Sequence, residues 1–109
     1  MIFVTIFKDS SKQYKAFSIL GHAGYAESGM DIICASVSVL GINTINSIEK
    51  FTDDDITYNM DEDSGLLTMT FDNTVSSESK LLVDAMILGL EDIAESYGNT
   101  YIKISYKEV

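Results

Sequence analysis

The chain has 109 residues, enough for one packed core and too few for two. Hydrophobic residues at 46% and charged residues at 22% are ordinary globular values and exclude a disordered chain. Seven basic against seventeen acidic residues give a formal net charge of −10, which speaks against direct nucleic-acid binding, where Lys and Arg must neutralise phosphates.

Residues 2–7 alternate β-branched and aromatic side chains and predict a strand. A polar turn at residues 8–12 leads to residues 14–20, the partner strand of a hairpin. Residues 21–29 break all periodicity, and three glycines in nine residues (Gly21, Gly24, Gly29) make this segment a loop. Residues 31–50 run without a turn signal, and Ile33, Val37, Leu40 and Ile48 fall near one face, which predicts a helix despite the β-branched composition. Ser28 followed by Asp31 has the spacing of a capping box. Residues 56–60 and 66–71 read as a second hairpin across the turn at residues 61–65. Residues 76–97 predict a second helix with Leu82, Met86, Leu90, Ile93 and Tyr97 on one stripe, ended by Gly98 and Asn99. Residues 101–106 alternate again as a last strand. The order ββαββαβ predicts a single α+β domain over residues 1–109, with two helices packed on an antiparallel or mixed sheet.

No basic segment precedes the apolar start, Met1-Ile2-Phe3-Val4, and no stretch reads as the ~20 apolar residues of a membrane span, so the expectation is a cytoplasmic protein with no membrane partner. The acidic surface suits solubility and would also speed encounter with a basic polypeptide.

The only His and the only Cys of the chain, His22 and Cys34, lie twelve positions apart, in the loop and in the helix that follows it. If the helix begins near Gly29 or Met30, Cys34 sits within its first two turns, where the dipole and unpaired N–H groups favour a thiolate. The loop brings His22 back past that helix end, where an imidazole can take the thiol proton. Asp31 and Ser38 share a helical face with Cys34; Asp31 fits either a residue that orients His22 or a helix cap. The helix-start N–H groups, or those of Gly21 and Gly24, are candidates for an oxyanion hole, and Tyr25 and Met30 for substrate contacts. Taken one at a time, the same residues fit plainer roles: Cys34 between Ile33 and Ala35 as a core residue, His22 as a surface group, Tyr25 as a loop anchor. No metal is expected, since His22, Cys34 and Asp31 would supply only three ligands at no known spacing. No cofactor is expected either. No Lys or Arg lies between Lys15 and Lys50, and neither phosphate-binding glycine pattern is present.

The run Gly21-His22-Ala23-Gly24-Tyr25-Ala26, then Gly29, then Asp31-Ile32-Ile33-Cys34-Ala35-Ser36-Val37-Ser38 resembles the signature of the ribosomal-processing cysteine protease Prp family. The resemblance implies a cysteine endopeptidase with Cys34 as nucleophile and His22 as general base and acid. It also implies a homodimer, a glycine-rich loop that moves over the bound peptide, and a basic substrate. That substrate is large-subunit ribosomal protein number twenty-seven, made with a short N-terminal extension that is removed as the ribosome matures. The rival reading is a non-catalytic acidic module that binds a basic ribosomal protein.

Overall fold

In the computed structural model, residues 1–21, 30–97 and 101–109 are described, with the backbone alone for Met30 and Asp31. The elements follow the predicted order: β1 (Ile2–Lys8), β2 (Tyr14–Leu20), α1 (Met30–Phe51), β3 (Ile56–Asp61), β4 (Leu66–Phe71), α2 (Ser77–Tyr97) and β5 (Ile102–Glu108). The five strands form one sheet in the order β3-β4-β2-β1-β5. All pairings are antiparallel except β1 with β5, which run parallel, so the sheet is mixed.

The alternation read from the sequence sorts the strands into two faces. Val4 pairs with Ile19, Ile19 with Leu67, Phe17 with Met69, and Ile2 with Ile102. All of these are at most 6% exposed, because directly opposed residues lie on the same face and this face carries the helices. Phe3 and Leu20, one residue out of phase, stand on the open face and are nearly half exposed.

Helix α1 buries Ile33, Val37, Ile45 and Ile48. Its stretch Ile32–Phe51 is in fact long and apolar enough to cross a membrane by length and composition. Here it is a core helix: its apolar face lies on the sheet and its outer face carries Ser, Asn and Glu among exposed apolar residues. At Gly41 the helix comes so near the sheet that a Cβ would meet the side chains of Ile19 and Leu67 at 2.8 Å each. Helix α2 buries Ser79, Val83, Met86, Ile87 and Leu90. Relative to the predicted stripe, the buried arc is rotated, and Tyr97 is 53% exposed. The reason is that α2 meets two neighbours, the sheet below and α1 at its side, where Leu40 packs 3.0 Å from the Cβ position of Gly89. Gly98 and Asn99 lie outside the described residues, as does the side chain of Asp31 with Ser28.

A polar staple joins the end of α1 to the start of α2. Ser76 caps α2, its Oγ accepting the Ser79 N–H at 3.1 Å. Asp54 Oδ2 accepts both the N–H and the hydroxyl of Ser76, at 2.9 and 2.7 Å. Burial alone would raise the Asp54 pKa, but the hydrogen bonds from Ser79 and Ser76 outweigh it and hold the carboxyl below its usual range. Ser76→Ala is expected to lower the unfolding free energy by about 1–2 kcal/mol in urea titrations at neutral pH. Because the folded pKa of Asp54 is the lower one, its contribution is complete above the unfolded value of ~3.9 and lost as pH falls through the folded value. Asp54→Asn should therefore be less stable than wild type at neutral pH, with the deficit shrinking in melts taken below pH ~4.

Candidate active site

Cys34 lies in the second turn of α1, on a helix whose first residue is Met30. It is half-buried and packs against the hydrophobic core, so its backbone position is held by the sheet while part of the side chain meets solvent. The first-turn N–H groups of α1 point toward this end, and the helix field there favours negative charge. Ser38, four residues on and about 6 Å further along the axis, is exposed on the same side of the helix. His22, Gly24, Tyr25 and Gly29 lie outside the described residues, as do the side chains of Met30 and Asp31.

Gly21 marks where the chain leaves the sheet. Its N–H donates to the carbonyl of Gly65 at 3.0 Å, so that N–H is already committed and does not point into an oxyanion site. Gly65 has φ +71°, in the left-handed region, and a Cβ there would lie 1.8 Å from the Gly21 carbonyl oxygen. The β3–β4 turn thus fixes Gly21, where the chain leaves β2, one position before His22 in the sequence. Gly65→Ala and Gly65→Asn are both expected to lose about 1–3 kcal/mol of stability, read from thermal or urea melts. Asn tolerates positive φ, so recovery in Gly65→Asn would show that backbone conformation, rather than contact with Gly21, is what glycine serves there.

Beside α1 runs a cavity of about 390 Å³, within the range of peptide and small-ligand sites. Ser38 and Ile42 of α1 form one wall, Ile19 and Leu67 of the sheet the floor, and Met60 of β3 the other wall, with Asp61 and Glu62 at the rim. None of these except Ser38 was singled out from sequence. They come from four separate elements, and Asp61 and Glu62 read there only as a hairpin turn.

A second polar cluster faces a different partner. The Tyr14 hydroxyl donates to Asp84, which also takes Lys80 Nζ at 2.8 Å, and Lys8 Nζ sits 5.0 Å from the Tyr14 ring centre and 5.6 Å from that of Tyr106. Burial, then the bond to Asp84, push the Tyr14 pKa up, so this phenol stays protonated and ties β2 to α2. Among the described residues, no group of three or more His, Cys, Asp or Glu is placed to hold a metal ion.

The family model for cysteine protease Prp matches residues 1–103. The chain belongs to the cysteine protease Prp family. It is 30% identical over 101 residues to the ribosomal processing cysteine protease Prp of Bacillus subtilis (strain 168), covering 89% of this chain and 90% of the relative. Among solved structures, the essential ribosomal processing protease Prp from S. aureus in complex with a substrate peptide superposes with TM-score 0.90 at 28% identity, covering 97% of this chain and 99% of that one. The same S. aureus protease with a covalently linked product peptide gives TM-score 0.85 at 29% identity, with the same coverage. Two helices on a five-stranded mixed sheet are thus the Prp architecture, and the chain is a cysteine protease.

Proposed function

We propose that Cys34 is the nucleophile and His22 the general base and acid of an endopeptidase that trims a ribosomal protein. One observation carries the assignment: a cysteine protease needs a thiol, and this chain has one cysteine and one histidine. The surroundings of Cys34 support this reading: core packing holds it in the second turn of a helix, and it is only partly buried. The covalently linked product peptide of the S. aureus relative accords with nucleophilic catalysis.

In the mechanism, His22 accepts the thiol proton and the Cys34 sulfur attacks the scissile carbonyl carbon. The tetrahedral intermediate collapses with its C–N bond broken, and His22 gives the proton to the leaving amine. His22 then takes a proton from water, the hydroxide attacks the thioester, and the carboxylate product leaves as the thiol is restored. Asp31 and Ser38 are proposed supporting residues. First-turn N–H groups of α1 and that of Gly24 are proposed oxyanion donors, with Tyr25 and Gly29 in contact with substrate.

The proposed substrate is large-subunit ribosomal protein number twenty-seven with its N-terminal extension, cut in the cytoplasm by a homodimer. The relatives are named for ribosomal processing, and a −10 surface attracts a basic ribosomal protein at long range. Mass spectrometry of the extended protein after incubation tests this. Wild type should release the extension, while Cys34→Ala and His22→Ala should each lose at least ~10³-fold in kcat/KM. Full cleavage by Cys34→Ala sinks the assignment, and binding without cleavage by wild type makes the chain a binding module.

A further inference from the structure

Both helices are crossovers. β2 and β3 each run antiparallel to β4, so they share a direction, and α1 joins them; β4 and β5 both run with β1, and α2 joins them. Each helix returns against its own strands, so α1 and α2 lie antiparallel on their face of the sheet. They touch where Leu40 packs against Gly89. Their outer side carries an apolar line. On α1, Ile32, Ala35 and Val39 follow one another at helical spacing, and on α2 Leu81, Ala85 and Leu88 do the same. All six are exposed, the four large ones by 61% to 69%. Val39 and Leu88 each stand one position before the Leu40–Gly89 contact, so the two halves of the line meet there. Ile32 lies eight positions before Leu40, and Leu81 eight before Gly89. Because the helices are antiparallel, the line crosses the pair diagonally over ~24 Å.

We propose that this line is a docking surface for a basic amphipathic helix of a partner protein. Isolated apolar side chains on a surface need no partner, but a continuous line of them marks an interaction site. Its length matches about sixteen residues of helix, and a third helix laid across an antiparallel pair buries its apolar stripe along their seam. Charge selects the occupant. Glu91, Asp92 and Glu95 follow Leu88 by three, four and seven positions, so they share its side of α2, and all three are exposed. The two helices hold only two lysines, Lys50 and Lys80, and Lys80 is paired with Asp84. Lys or Arg along the flank of an incoming helix answers these carboxylates. A second copy of this chain brings no cation cluster to them, and an anionic lipid surface is repelled. The line lies on the side of the helices away from the sheet, apart from the cavity floored by Ile19 and Leu67, and does not depend on Cys34 being the nucleophile.

The test is fluorescence anisotropy of the full chain with three labelled synthetic peptides of about sixteen residues. One is a helix with leucines along a single stripe and lysines on its flanks. The second has the same composition in scrambled order, and the third carries glutamate in place of lysine. Wild type should bind the lysine helix about tenfold or more tighter than either of the others. Val39→Gln and Leu88→Gln change no charge and sit at exposed positions, so both should fold as wild type does in thermal melts. Each should weaken binding of the lysine helix by about fivefold or more. Glu91→Lys combined with Glu95→Lys should weaken the lysine helix and strengthen the glutamate one. Equal binding of the helical and scrambled lysine peptides overturns the surface, as does wild-type affinity in both glutamine variants, since attraction then comes from net charge alone. Absence of binding to the lysine helix overturns it too. Sedimentation of the peptide-free protein tests the rival occupant. A dimer that Leu88→Gln dissociates shows that a second copy covers the line and overturns the basic-helix partner.

Discussion

The seating of α1 on the sheet at Gly41 is the contact on which the rest of the molecule depends. With no side chain there, the helix axis comes down onto Ile19 and Leu67, and Ile33, Val37, Ile45 and Ile48 are buried along its length. A methyl group would press into both side chains, and the dense packing of a core gives it little room to yield. This seating sets the lateral position of α1 over β2 and β4. It thereby fixes the helix that carries Cys34 against the core.

A protease of this size has to combine a rigid nucleophile with access for an extended chain. With Cys34 as the proposed nucleophile, the fold meets the first demand through the helix, whose core contacts hold Cys34 in place. The turn joining β3 to β4 serves both sides of that arrangement. Gly65 in it holds Gly21 where the chain leaves β2, while Met60 and Asp61 at the end of β3 and Glu62 in the turn line the groove. The net charge of −10 acts at longer range, and it bears on solubility and encounter rather than on the fold.

Much of this was legible in the residues. Strand alternation in β1, β2, β4 and β5 directly encodes which side of the sheet is buried, and the unbroken run through Cys34 marked α1 as a helix although its β-branched residues argue for strand. The buried arc of α2 was displaced from its predicted stripe because a periodic pattern reports one buried direction, whereas α2 has two. No stretch read as the ~20 apolar residues of a membrane span, yet Ile32–Phe51 is long and apolar enough by length and composition; packing against the sheet makes α1 a core helix. The motif around His22 and Cys34 identified the family, while the resting geometry of that pair falls outside the described residues.

By itself the sequence determined the element order, the two-helix α+β class, the family, and the presence of only one thiol and one imidazole, since each of these follows from local patterns or from counting. The tertiary structure alone decided that β5 pairs parallel to β1, that Gly65 holds Gly21, and that an apolar groove opens between α1 and β3. The physical reason is separation along the chain. Ile19, Ile42, Met60 and Leu67 carry no mutual spacing rule, and they become neighbours only when α1 settles on two strands of a sheet that extends one strand further.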